Sequence, residues 1–174
     1  AMGFTAYRER ERLLEDEAYR DYLTGLLNRR GLDAAIASLH KEDKPSAVFL
    51  FDLDNLKQTN DTLGHAEGDM LIRRFGELLQ ANTRESDILA RFGGDEFIVV
   101  MKRMDAEENA LKKGEEICRA IQSTRLSEMV FASCSAGIVI WSGEEPINLI
   151  IKRADEALYC AKTNGKRGCC IWKK

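Results

Sequence analysis

The chain has 174 residues, 44% of them hydrophobic and 32% charged, which suits one globular α/β unit with a sizeable core. A formal net charge of −3 argues against a general nucleic-acid binder, which would carry a basic face. No apolar run approaches the ~18–20 residues that cross a bilayer and no signal peptide is visible, so a cytoplasmic location is expected.

The opening Ala1-Met2-Gly3 resembles a cloning remnant, so further sequence is expected upstream. Residues 5–20 are charged with sparse apolar positions and predict a helix that leans on a partner rather than on a core. Thr24-Gly25 breaks that pattern into a structured turn, and residues 31–41 resume a helix with Leu32, Ala35, Ile36 and Leu39 on one face. The apolar run 46–53, short and preceded by Pro45, predicts a strand buried on both faces that ends in Asp52, with Asp54 just beyond. A short helix over 55–63, a break at Gly64 and a long amphipathic helix over 66–82 follow.

Residues 87–101 contain two β-rich runs around Gly93-Gly94, the signal for a hairpin whose turn needs positive φ. A helix over 105–124, a strand over 130–141, a helix over 147–163 and a closing strand over 169–172 complete the chain. One hairpin among several helical crossovers predicts an α+β fold, with a central, mostly antiparallel sheet flanked by helices. Residues 1–20 then stand apart as a linker or signalling helix, and 21–174 form the folded domain.

The five cysteines, Cys118, Cys134, Cys160, Cys169 and Cys170, lack chelating spacing. Neighbouring Cys169 and Cys170 are unsuited to an unstrained bridge with each other. An odd count without a framework fits a reducing compartment, with the thiols acting as small core hydrophobes. His40 and His65 are too isolated to build a zinc site.

The chemistry gathers at two places. Asp95 and Glu96 follow the Gly93-Gly94 turn directly, and Asp52 closes the buried strand. If that strand neighbours the hairpin, the three carboxylates form one acidic cluster, and crowded carboxylates repel unless a cation lies between them. Oxygen-only ligands select Mg²⁺ or Mn²⁺, ions that commonly bring phosphate groups. A solvated hairpin tip, with Asp52 and Asp54 capping the helix at 55, is the plainer alternative. Asn60, His65 and Asp69 form a second group. An ionised Asp69 can accept from guanine N1–H and N2–H while Asn60 meets the remaining edge. An i, i+4 ion pair of Asp69 with Arg73 competes with that reading.

Arg91-Phe92-Gly93-Gly94-Asp95-Glu96-Phe97 resembles the signature of the GGDEF family, the diguanylate cyclases. The similarity extends to 21–30 (DYLTGLLNRR), 52–61 (DLDNLKQTND), 64–69 (GHAEGD) and 154–162 (ADEALYCAK). It implies a ferredoxin-like palm similar to nucleotidyl cyclases, each domain binding one GTP. Two domains face each other as a homodimer, each ribose 3′-hydroxyl attacks the other α-phosphate, and cyclic di-GMP forms with loss of two pyrophosphates.

By this resemblance Asp52, the Leu53 carbonyl, Asp95 and Glu96 hold two Mg²⁺ or Mn²⁺ ions per half-site, and Asp95 is the candidate base. Asn60, His65 and Asp69 bind the nucleoside. Leu56, Lys57, Gly93 and Gly94 line the phosphate-binding turns, and Lys162 and Lys166 reach the terminal phosphates. Arg84-Glu85-Ser86-Asp87 resembles the family's product-inhibition site for cyclic di-GMP, with a surface pair closing a turn as the alternative. Leu56 stands where the family often has Phe, and Lys166 where Arg is common, exchanging a bidentate fork for a point charge. An upstream sensor domain is expected in the full-length protein, with room there for a membrane anchor. The competing functional reading is a non-catalytic receptor for GTP or cyclic di-GMP.

Overall fold

The computed structural model describes residues 2–125 and 131–174. In chain order the elements are α1 (Met2–Tyr19), α2 (Arg29–Ala37), β1 (Ser46–Leu53), α3 (Leu56–Leu63), α4 (His65–Ala81), β2 (Ile88–Arg91), β3 (Glu96–Met101), α5 (Glu107–Ile121), β4 (Cys134–Trp141), α6 (Ile147–Thr163) and β5 (Cys169–Ile171). The strands form one sheet in the order β2-β3-β1-β4-β5. Every pairing is antiparallel except β4 with β5. The mostly antiparallel α+β architecture expected from the sequence is therefore the one observed, with β5 as a parallel addition at the edge.

β1 is central and buried along its whole length, as its unbroken apolar run requires. Alternate residues serve opposite layers. Phe49, Phe51 and Leu53 pack with Phe75 and Leu79 of α4 and with Ile117 and Ile121 of α5. Val48 and Leu50 pack with Leu32 of α2 and with Ile150, Ala154 and Leu158 of α6. An edge-to-face series seats α4 on the sheet near its functional end. Phe75 lies 5.8 Å from Phe51 and 4.9 Å from Phe97, with rings inclined by 71° and 83°.

Three expectations change. The 130–141 strand begins only at Cys134 in the structure, and Val130 lies outside the described residues. Gly93 and Gly94 are absent from the residues with positive φ. What glycine supplies there is room: a Cβ on Gly94 would meet nothing within 4 Å, and one on Gly93 would only graze Glu96 at 3.6 Å. The cysteines are not uniformly core. Cys118 and Cys134 are buried free thiols, with Cys134 Sγ donating a hydrogen bond to Cys118 Sγ at 3.4 Å, whereas Cys160 is exposed and Cys169 and Cys170 are intermediate.

The turn at 21–28 ties α1 to the sheet. Asn28 caps α2 by accepting from Gly31 N–H at 2.9 Å and donates to the Ala18 carbonyl at 3.0 Å. Backbone bonds from Leu27 N–H to Leu89 and from Arg91 N–H to Leu27 hold the turn against β2.

Candidate active site

β1 and β3 run antiparallel with Asp52 opposite Glu96, so the strand end and the hairpin meet, the condition for a single acidic cluster. The Leu53 N–H donates to the Asp95 carbonyl at 3.1 Å, which holds the Gly-Gly turn beside the end of β1. Asp52 continues the Val48–Leu50 face, toward α6, and Lys162 of α6 donates its ammonium to Asp52 Oδ2. Asp52 Oδ1 is buried without a hydrogen-bond partner. Burial, reinforced by the neighbouring Asp95 charge and opposed by Lys162, pushes the Asp52 carboxyl up to about 7. Glu96 is also raised, first by burial and then by Asp95 and Asp155. Burial works against the charge of Lys162, but Asp52 outweighs it and the ammonium is held more firmly than usual.

These groups suit a hard divalent cation. The donors are all oxygen, one is an orphaned buried carboxylate oxygen, and the acidic groups repel in its absence. Among the described residues no three carboxylate, imidazole or thiolate side chains already stand as a metal cage. Lys162 supplies the neutralising charge in the structure, and main-chain oxygen would have to complete a coordination sphere.

Asp54 has a role that capping did not anticipate. The residue preceding α3 is Asn55, left-handed at φ 63 and without a side-chain cap bond. Asp54 is buried and accepts from Ser133 Oγ at 2.8 Å, Ser135 Oγ at 2.9 Å and Arg167 N–H at 3.4 Å. It thus fastens β1 to β4 and to the loop after α6. The uncapped first turn of α3, where Leu56 is buried and Lys57 exposed, leaves amide donors for an anion. Lys166 reaches across to Asn55 Oδ1 at 3.3 Å, so both sequence-predicted lysines converge on the β1–α3 corner.

Asn60 lies in the seam between α3 and α4, directly over Gly68, where a Cβ would fall 1.7 Å from Asn60 Oδ1. His65 is exposed at the start of α4 and Asp69, one turn on, is half-buried. The ion pair of Asp69 with Arg73 does not form among the described residues, where Arg74 pairs with Glu77 instead. Asp69 is left available.

Arg84 and Asp87 sit before β2, at the opposite end of that strand from the Gly-Gly turn. Here the plainer alternative is the arrangement seen. Asp87 accepts from Arg84 N–H at 2.9 Å, from the guanidinium at 3.2 Å and from Lys102 N–H at 3.1 Å. A cleft of about 350 Å³ adjoins them, lined also by Asn82, Met101, Met104 and Lys113.

Arg91 belongs to the signature but received no role from sequence reasoning. Its guanidinium donates to the Gly94 carbonyl at 2.9 Å and to Asp21 at 3.2 Å, and Asp21 accepts from Thr24 Oγ1 at 2.7 Å. The Gly-Gly turn is therefore braced from the root of α1. The signal was the recurrence of both residues inside motifs 70 positions apart, which local patterning does not connect.

The family model for the diguanylate cyclase GGDEF domain matches residues 18–168. The chain belongs to the GGDEF family. It is 36% identical over 171 residues to diguanylate cyclase DosC of Escherichia coli K12, covering 94% of this chain but only 37% of that protein. Among solved structures it is similar to the coiled coil and GGDEF domain of DgcB from Caulobacter crescentus in complex with c-di-GMP. That match has a TM-score of 0.87, 26% identity and coverage of 98% and 94% of the two chains. It is also similar to the active GGEEF domain of a diguanylate cyclase from Vibrio cholerae, with a TM-score of 0.75, 32% identity and coverage of 86% and 99%.

Proposed function

We propose that the chain is the catalytic part of a diguanylate cyclase, joining two GTP molecules into cyclic di-GMP and releasing two pyrophosphates. The observation that carries this reading is the pairing of Asp52 with Glu96 beside Asp95, with a buried carboxylate oxygen left unpartnered. A receptor that only holds nucleotide has no use for carboxylates crowded at this cost.

Asp52, the Leu53 carbonyl, Asp95 and Glu96 would hold two Mg²⁺ or Mn²⁺ ions per half-site, which when bound neutralise phosphate charge and polarise the α-phosphate. Asn60, His65 and Asp69 bind the nucleoside, the Asp69 carboxylate accepting from the guanine N–H groups. The α3 amides, with Leu56 beneath and Lys57 alongside, cradle the phosphates, and Gly93 and Gly94 let them approach the turn without a Cβ in the way. Lys162 and Lys166 neutralise the departing pyrophosphate. Asp95 takes the proton of the incoming 3′-hydroxyl as its oxygen bonds to the partner nucleotide's α-phosphorus.

Each half-site holds one nucleotide, so the reaction needs a homodimer. The exposed Phe4, Tyr7 and Leu14 of α1, spaced at 3 and 7 residues, supply a seam for a second copy. Residues 1–20 act as the signalling helix and 21–174 as the catalytic domain, beneath an upstream sensor. Arg84 and Asp87 open from their mutual pair to take cyclic di-GMP as a product inhibitor, the guanidinium donating to guanine N7 and O6. Among the described residues no helix is long and apolar enough to cross a membrane, and we assign this part of the protein to the cytoplasm.

The test is stoichiometric. With GTP and Mg²⁺ the chain should release two pyrophosphates for each cyclic di-GMP formed. Tight GTP binding without pyrophosphate release would replace the cyclase by a receptor.

A further inference from the structure

Cys160 and Cys170 stand at the two roots of the loop that carries Lys166. Cys160 is exposed near the end of α6, two residues before Lys162, and Cys170 lies in β5. One side chain joins them: Asn164 Nδ2 contacts Cys160 Sγ at 3.6 Å and Cys170 Sγ at 3.8 Å. The loop between them is tightly wound, with positive φ at Gly165, Lys166 and Arg167 in succession. It is held to the site by Arg167 N–H on Asp54 and Lys166 Nζ on Asn55. Anything that fixes its roots acts on both phosphate lysines at once.

We propose that Cys160 and Cys170 form a reversible disulfide under peroxide, closing a covalent ring around Lys162 and Lys166 and weakening the hold of the site on nucleotide phosphates. The effect on nucleotide rests on the GTP reading above; the bridge itself does not. In the first step hydrogen peroxide oxidises the accessible Cys160 thiol to a sulfenic acid and is reduced to water. The Cys170 sulfur then attacks the sulfenic sulfur, the S–O bond breaks, and the hydroxyl leaves as a second water with the Cys170 proton. Two thiols and one peroxide thus give one disulfide and two waters.

The other thiols are poorly placed to compete. Cys118 touches Cys134 at 3.4 Å and Cys169 at 3.6 Å, but Cys118 and Cys134 are buried between α5 and the sheet. Hydrogen bonding within this trio pushes the Cys118 and Cys169 thiols up, away from the reactive thiolate. Burial, followed by the neighbouring Cys160, pushes Cys170 up to about 11, so the peroxide step falls to the exposed Cys160.

In the structure Lys162 is held on Asp52 and Lys166 on Asn55, and a bound triphosphate would compete for both, turning them from these partners. A ring closed in this arrangement resists that turn. The expected loss in GTP affinity is about tenfold, as for weakening one charge-assisted hydrogen bond.

The whole chain is reduced, exposed to hydrogen peroxide, alkylated and mapped by mass spectrometry, alongside Cys160→Ser and Cys118→Ser. The proposal expects loss of two hydrogen masses, a peptide linking 160 to 170, and reversal by dithiothreitol. Cys160→Ser should abolish the bridge and Cys118→Ser should leave it. Calorimetry with GTP and Ca²⁺, in place of Mg²⁺ to slow turnover, should give about tenfold weaker binding for oxidised native protein and no change for Cys160→Ser. A bridge within the Cys118, Cys134 and Cys169 trio, a bridge between two chains, or an affinity unchanged within twofold would overturn the proposal. Failure of the reduced protein to bind GTP would instead strike the nucleotide reading, with the mass map still deciding the bridge.

Discussion

At the scale of single residues, Asp52 carries a load that its neighbours only partly relieve. Its folded carboxyl titrates near 7 against an ordinary value of 3.8, so between those limits the folded chain holds a proton that the unfolded chain has lost. Stability without metal therefore falls as pH rises through that window. Asp52→Asn removes the cost, so its melting temperature relative to native should rise between pH 5 and pH 8, as differential scanning fluorimetry would show. Mg²⁺ competes with the same proton, and its affinity should drop up to about tenfold per pH unit below 7. Lys162→Met leaves Asp52 without its counter-charge. Because Lys162 is about a third exposed, the expected cost is ~1–2 kcal/mol, below the ~3–5 kcal/mol of a fully buried pair, and Mg²⁺ should recover most of it in the same melt. The acidic residues were legible because their spacing places them at a strand end and a turn. The partners of Asp54, 79 and 81 positions away, were not, since strand register is written in no local pattern.

Among the elements, the α3–α4 seam decides where the base would sit. Gly68 has no conformational reason to be glycine, but its missing Cβ makes the space that Asn60 Oδ1 occupies. Gly68→Ala should keep the fold and raise KM for GTP by about tenfold, the cost of one displaced hydrogen-bonding group, with a smaller change in kcat. The start of β2 gives a second prediction. Arg84→Ala leaves Asp87 bonded to Lys102 N–H, so the turn should persist while inhibition by cyclic di-GMP weakens at least tenfold in a steady-state assay. Helices and strands were largely legible from apolar periodicity. The Gly-Gly turn departs from the expected positive φ because a glycine pair signals either left-handed backbone or open space, and sequence alone does not separate the two.

For the whole molecule, the braces run from α1 to the chemistry: Asn28 to Ala18, Leu27 to β2, and Asp21 through Arg91 to the Gly94 carbonyl. Rotation of α1 against a second copy would therefore be felt at the turn that carries Asp95. The exposed apolar seam of α1 was legible as a helix lacking a core, but its link to the turn was not, because it joins Asp21 and Arg91 in motifs 70 positions apart. On the proposed function, two facing half-sites together make cyclic di-GMP. The most direct test of that reaction is product formation by the native chain and by Asp95→Ala, with GTP and Mg²⁺ at equal, high protein concentration and products separated by chromatography. Cyclic di-GMP is expected from the native chain and at least a thousandfold less from the variant, about 4 kcal/mol of lost transition-state stabilisation. Equal yields from the two proteins, or none from the native chain even when dimerised, would contradict the proposed function.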